Sequence, residues 1–363
     1  MTDISVDYRI SPKESQIIKG FAICAMLVHH LFWEHPEYGV APYQIALAGK
    51  VCVALFVFLS GYGMAIQFVQ IHSVTNFEKN QNTLRFICKR LVKFYMNYWV
   101  VFLISVPLGV LVFGRPLEAA YGNQNDLFFC LMKDFLGFQS FGSYNITWWF
   151  NAIILSLWIL FPFIYWSMRS RLVALPMMLL LFFNPGDILF PLHRVAPGLP
   201  FYLIIFAEGV FIAINADLIN KFLNKIKKKI VLVSSIVLTL FLLLARNLPI
   251  VPNFNNYTVD SFVVVSLALA VVSLSRTTNA SLAFGAFLGR HSMNIYLLHT
   301  FVFSYFFSDF IYGFKNPVVI FLALLGVSLA LSIIVEFLKK QCRFYVLLKK
   351  ISGYTAPPTQ ERC

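Results

Sequence analysis

The chain has 363 residues, of which 59% are hydrophobic and only 12% charged, and its mean hydropathy is +0.74. Soluble domains carry charge on about a quarter of their residues, so this composition excludes an ordinary water-soluble protein and predicts an all-α polytopic membrane protein. The formal net charge of +13 sits mainly in loops between apolar runs, which argues for membrane topology and against a nucleic-acid partner.

Residues 1–16 are polar and lack the small-residue cleavage pattern of a signal peptide. They are expected to form a cytoplasmic tail, with the first span retained. Apolar runs then predict about ten transmembrane helices, near 17–33, 48–70, 94–113, 148–166, 172–184, 201–214, 230–244, 259–275, 284–308 and 317–338. The runs 172–184 and 201–214 are short for a hydrocarbon core. Helices are expected because a lone strand cannot satisfy its backbone in lipid, and the runs lack the alternation of a barrel. These spans make one transmembrane domain over 17–338, with an outer loop at 114–147 and a basic cytoplasmic tail at 339–363.

When loops are assigned alternately to the two sides, every Lys and Arg except Lys50, Arg115, Lys133, Arg194, Arg246 and Lys315 falls on the side of the termini. The positive-inside rule makes that side cytoplasmic, and both termini with it. Its basic surface is expected to attract anionic membrane lipids. The cysteines show neither CxxC nor metal-ligand spacing, and most lie in or near apolar runs. Neither a disulfide framework nor a metal site is predicted.

Ionisable groups inside spans are costly and need a reason. The first span, KGFAICAMLVHH (19–30), runs from Lys19 to His29 and His30. Eleven residues of helix place His30 roughly 16 Å from Lys19. Glu34 follows His30 by four and can share its helix face, where a carboxylate would orient an imidazole acting as general base. Packing glue for a neighbouring helix is the other reading of these histidines. In the second span, FVFLSGYG (56–63), Ser60, Gly61 and Gly63 allow close approach of a helix or a ligand. Ahead of the third, Arg85, Lys89 and Lys93 form one helical stripe with Arg90 beside Lys93. Such a cluster suits a multiply phosphorylated ligand, and equally a positive-inside stop signal.

The outer loop holds an apolar stretch, LFFCLMKDFLGF (127–138), too short to span and expected to lie at the interface. Its neighbouring aromatics and amides suit either a sugar or an interfacial belt. Glu208, within the sixth span, suits pairing or proton handling. In the ninth, GRHSMNIYLLHT (289–300), His299 lies nine residues beyond Arg290, roughly 14 Å deeper. On these span ends His30, Ser60 and His299 fall at similar depth. No phosphate-cradling glycine loop, HExxH or paired-Asp motif is present in the sequence.

At these residues the sequence resembles the acyltransferase 3 family of membrane acyltransferases. KGFAICAMLVHH is similar to its first-helix motif, with Lys19 where many members have arginine, and FVFLSGYGMA to its second-helix motif. KRLVKFYMNYW, TWWFNAIILSLWILFP (147–162) and LGRHSMNIYLLH (288–299) resemble the third, fourth and late motifs, in order. The resemblance implies O-acyl transfer, acetyl by default, from cytoplasmic acyl-CoA to an extracytoplasmic or lipid-linked carbohydrate such as a surface polysaccharide. It implies that Lys19, Arg85, Lys89, Arg90 and Lys93 hold the CoA phosphates. His30, with Glu34, would serve as the catalytic base or acyl carrier. Ser60, Tyr62, Trp148, Trp149 and His299 would shape the tunnel or the substrate site. A bacterial cytoplasmic membrane fits the composition, and nothing in the sequence sets an oligomeric state. Buried His and Glu also suit a proton-coupled exporter of a small or acylated solute, although no half-to-half symmetry is evident.

Overall fold

The structure, a computed structural model, describes residues 6–72, 79–122, 126–138, 142–183, 192, 196, 198–247, 256–278 and 282–352. Among these residues the regular elements are all helical. They are α1 (Pro12–Phe32), α2 (Val40–Gly49), α3 (Cys52–His72), α4 (Lys79–Leu111), α5 (Leu117–Tyr121), α6 (Leu127–Phe135), α7 (Trp149–Arg169) and α8 (Arg171–Phe183). Then follow α9 (Leu199–Ile214), α10 (Ala216–Leu223), α11 (Lys228–Arg246), α12 (Asn256–Thr277), α13 (Ala283–Thr300), α14 (Ser308–Tyr312), α15 (Pro317–Gln341) and α16 (Phe344–Ser352).

Among the described residues, seven segments are long and apolar enough to cross a membrane: α1, α2 with α3, α4, α7, α11, α12 and α15. The pair α9–α10, bent by 73°, makes an eighth if it is one span. That fits a multi-pass integral membrane protein but is fewer than the ten spans expected. Two differences have clear causes. Within the described residues the run at 172–184 yields α8, 13 residues that carry Pro176. The run at 284–308 is α13 followed by a π-helical turn, Phe301–Phe306, and α13 is made too polar by Arg290, His291, Asn294 and His299. Arg194 and residues 353–363 of the C-terminal tail lie outside the described residues.

The first helix starts at Pro12, inside the stretch expected to be tail. Ser11 caps it, accepting from the Glu14 N–H at 3.3 Å while Glu14 accepts from the Ser11 N–H at 2.8 Å. This is a capping box, closed by proline at the first helical position.

The chain divides into two compact units. Unit 1 comprises Met1–Gln67, Leu160–Ser292 and Lys315–Phe321. Its helices approach through glycines. A Cβ on Gly61 would strike the Phe206 carbonyl oxygen, and one on Gly209 the Phe58 carbonyl oxygen, so α3 and α9 contact backbone to backbone at reciprocal positions. Gly20 meets Gly285, and Gly289 meets Gln16, which seats the start of α13 on α1 in the same way. Two buried ion pairs join its segments. Glu14 accepts from Arg276 Nε at 2.8 Å, and Arg246 Nε donates to Asp260 at 2.5 Å. The segment before α1 is strapped down as well. Asn224 accepts from the Val6 N–H and donates to the Val6 carbonyl, both at 2.8 Å, and Tyr8 packs against Val231 and Val272.

Unit 2 comprises Phe68–Ile159, Met293–Phe314 and Leu322–Cys363. Its core is aromatic, with Tyr98 edge-on to Trp148 at 5.2 Å and Phe94 edge-on to Trp158 at 5.7 Å. The stretch expected at the interface is helix α6, and its C-terminal end is sunk against α4. Tyr95, Tyr98 and Trp99 donate to the carbonyls of Leu136, Asp134 and Phe135 at 2.9, 2.6 and 2.8 Å. The last carbonyls of a helix have no partner within it, so these three side chains replace the water an exposed end would use. The contact falls twelve or more residues before Leu111, about 18 Å or more along α4. Asp134 is 1% exposed, and accepts from the Tyr121 hydroxyl at 2.7 Å and from the Tyr144 N–H at 2.5 Å. Burial pushes its carboxyl up to about 7, against the opposing effect of those hydrogen bonds.

Two outcomes are expected. Gly61→Ala should lower stability in detergent by about 1–3 kcal/mol, as overpacking does. Gly63→Ala, with open space at the added Cβ, should be neutral or slightly stabilising; thermal unfolding of both variants checks the pair. Asp134 gives a pH dependence. Because its folded value lies above its unfolded one, the folded state holds the extra proton between about pH 4 and 7. Its contribution is therefore present at low pH and is lost as pH rises through that window. Asp134→Asn should flatten the dependence in melting curves taken across it.

Candidate functional site

In unit 1 the candidate residues stand on α1 and α3. Lys19 and His30 belong to one unbroken helix, so the expected rise of roughly 16 Å stands as a helix length. Both side chains are half-buried. The two adjacent histidines are used differently. His29 Nδ1 lies 2.8 Å from the Ala46 carbonyl oxygen, and the ring stacks on Trp33 with centroids 5.8 Å apart. A carbonyl only accepts, so His29 carries its proton on Nδ1. Gly49 completes this contact, since a Cβ there would come within 2.5 Å of the Ala25 carbonyl oxygen. His29 is thus an α1–α2 tie. His30 turns away from that contact, with its ring centroid 5.2 Å from that of His29. Glu34 lies beyond the end of α1 and is exposed, because the helix stops at Phe32 and the chain turns.

The second-helix residues are largely committed to packing. Ser60 is buried at 9% exposure beside the Gly61 contact with α9. Tyr62, buried at 5%, accepts from the Ile10 N–H at 3.0 Å and so holds the segment before α1. Glu208 accepts a hydrogen bond from the Ser261 hydroxyl through Oε1. Among the described residues its buried Oε2 has no hydrogen-bond partner.

In unit 2 the basic cluster divides. Arg85, Lys89 and Lys93 are exposed along one stripe of α4, as their spacing predicts. Arg90 turns inward, and its guanidinium lies over the Trp158 ring at 5.1 Å. Trp148 is 1% exposed, and its indole N–H donates to the Leu297 carbonyl at 3.2 Å. Trp149 is half-buried. His299 is fully buried, and its Nδ1 lies 2.8 Å from the Tyr296 carbonyl oxygen. That contact makes Nδ1 the protonated nitrogen and leaves the lone pair on Nε2, 3.5 Å from the Thr300 hydroxyl. Thr300 in turn lies 3.1 Å from the Thr147 hydroxyl, which donates to Asn145 at 2.7 Å. Because Thr147 gives its proton to Asn145, Thr300 donates to Thr147, and it is Thr300 that anchors the turn before α7 to α13.

Sequence reasoning passed over a second polar cluster in this unit. Lys339, expected in the basic tail, is 2% exposed, and its ammonium bonds Asn97, Asn294 and Glu336. An acid and a base three residues apart at the end of an apolar run were the available signal.

The acyltransferase 3 family model, described as an acyltransferase domain, matches residues 13–337. Comparison with curated proteins and with solved structures gives no match. The matched stretch reaches from the first turn of α1 to the last turns of α15, and over it the chain belongs to the acyltransferase 3 family of membrane acyltransferases.

Proposed function

We propose that the protein is a membrane O-acetyltransferase that takes an acetyl group from cytoplasmic acetyl-CoA and passes it to a hydroxyl of an extracytoplasmic or lipid-linked carbohydrate. The reading places both termini in the cytoplasm of a bacterial cell, with about ten crossings of its inner membrane. Family membership over residues 13–337, together with one continuous helix that carries Lys19 and His30, is the observation that carries it. The exposed cations Arg85, Lys89 and Lys93 suit the phosphates of CoA. Arg90, seated on Trp158, reinforces the same turn of α4.

The chemistry needs a base and a thioester. His30 takes the proton of the acceptor hydroxyl as its oxygen attacks the thioester carbonyl. The carbon–sulfur bond breaks, a carbon–oxygen ester bond forms, and the proton passes to the departing CoA sulfur. An acyl-histidine would split the same transfer into two steps. The reading assigns this role to His30, eleven residues beyond Lys19, and takes His29 as the α1–α2 tie. The remaining candidates are assigned to shaping the path: Ser60 and Tyr62 on α3, and Trp148, Trp149 and His299 in unit 2. Glu34, in the turn after α1, is the carboxylate assigned to His30.

A proton-coupled exporter is the second reading, and the buried, half-satisfied carboxyl of Glu208 is the feature that favours it. Calorimetric titration of the purified protein with acetyl-CoA separates the two. The wild type should bind. Lys89→Ala/Lys93→Ala should lose about tenfold or more in affinity. His30→Ala should bind as well as the wild type while transferring acetyl about 10²–10⁴-fold more slowly. A folded wild type with no affinity for acetyl-CoA would remove the acyltransferase mechanism and leave the exporter.

A further inference from the structure

The ammonium of Lys339 has three protons, and each has an acceptor. They go to Asn97 Oδ1 at 2.9 Å, Asn294 Oδ1 at 3.1 Å and Glu336 Oε1 at 2.8 Å. Asn294 Nδ2 donates to the same carboxylate oxygen at 2.8 Å, and the Tyr345 hydroxyl donates to the other. These residues stand on α4, α13, α15 and α16, so one cation ties four helices. Burying an ammonium costs several kcal/mol even when it is paired. A methionine of similar length would fill the same space without that cost. What the ammonium adds is direction.

The direction leads to α4. Asn97, while accepting from Lys339, donates its own Nδ2 to the carbonyl oxygen of Lys93 at 2.7 Å. A helix carbonyl ordinarily serves the backbone N–H four residues on. Here it also receives a side chain that is itself held by a buried cation, which fixes the turn Lys93–Asn97. The adjoining turn carries Lys89 on the same exposed stripe. We propose that Lys339, acting through Asn97, is a positioning residue that sets the cation stripe of α4 against the phosphates of acyl-CoA. The inference rests on the acyl-CoA reading given above and adds two residues to it.

The test titrates acetyl-CoA into the purified full-length protein at low and high ionic strength. Two variants are compared with the wild type. Asn97→Ala cuts the link to Lys93 and leaves the Lys339–Glu336 pair intact. Lys339→Met/Glu336→Gln removes that pair as a neutral unit. Phosphate contacts made by exposed cations weaken with salt, so wild-type affinity should fall as salt rises. Asn97→Ala leaves one Lys339 proton without its acceptor and so should unfold at a somewhat lower temperature while remaining folded at the titration temperature, bind about tenfold more weakly at low salt, and show a shallower salt dependence. The double variant should do the same. Should the double variant fail to fold, Asn97→Ala alone decides.

Wild-type affinity with wild-type salt dependence in a folded Asn97→Ala would overturn the inference. So would an affinity loss with the salt dependence unchanged, because that pattern marks general damage. Either result leaves the acyl-CoA reading standing. A wild type that does not bind acetyl-CoA at all takes both down together, and the wild-type titration shows that before any variant is examined.

Discussion

A charge placed among apolar helices has to find an opposite charge or a full set of hydrogen bonds, and the rest of this architecture is arranged around that requirement. Hydrophobic contact is non-directional, so it brings helices together without choosing their register. The buried ions choose it. Glu14 at the start of α1 meets Arg276 at the end of α12, and the same guanidinium donates to the Arg9 carbonyl at 2.9 Å. Arg246 at the end of α11 meets Asp260 near the start of α12 and also donates to the Leu47 carbonyl at 2.7 Å. The Glu14–Arg276 pair joins segments far apart in sequence, and in both pairs the guanidinium also reaches a backbone carbonyl. That second contact turns an ion pair into a pin, since it fixes the position of a chain and not only of a side chain. Replacing such pairs by apolar residues often costs no stability, so their contribution here is register.

Close backbone approach is the second constraint, and it changes the meaning of the second-helix motif. Gly61 and Gly209 each face a carbonyl of the opposite helix, which leaves no side-chain volume at that crossing. Ser60 and Tyr62 flank it. Their burial follows from the crossing, and Tyr62 then has its hydroxyl placed where the Ile10 N–H can reach it. The motif therefore does structural work at Gly61 and Tyr62 even where it also serves a substrate path.

Much of this was legible in the sequence because lipid imposes simple rules. Length and apolarity located most of the helices, and helical spacing put Arg85, Lys89 and Lys93 on one exposed stripe. The capping box at Ser11 and Glu14 was not read from the sequence, and it moves the start of α1 back to Pro12, inside the expected tail. What could not be read has one physical origin, the identity of the neighbour. Spacing alone treats Gly61 and Gly63 alike, yet a helix lies against one and open space beside the other. Spacing set Arg90 beside Lys93, off the stripe, and could not show that the Trp158 ring covers it. Lys339 looked like tail because a lysine after an apolar run usually meets water. Here α16 folds back on α4, and the lysine is enclosed. The stretch 127–138 is amphipathic, as an interfacial helix would be. Its end is instead sunk against α4 because Tyr95, Tyr98 and Trp99 offer donors to its last carbonyls.

The adjacent histidines show how such neighbours sort chemistry from structure. Successive residues on a helix point about 100° apart, so His29 and His30 cannot share a partner. The backbone of α2 takes His29, and the contact of Gly49 with Ala25 brings that backbone near enough to do so. The same packing that neutralises one ring as glue directs the next ring elsewhere on α1. His299 follows the logic of His29, with its Nδ1 proton given to a carbonyl and its ring fully buried. A reacting hydroxyl needs an imidazole that substrate can approach. His29 and His299 each spend the Nδ1 proton on a backbone carbonyl, so on these helices the nearest carbonyl, more than sequence position, decides how a histidine ring is set.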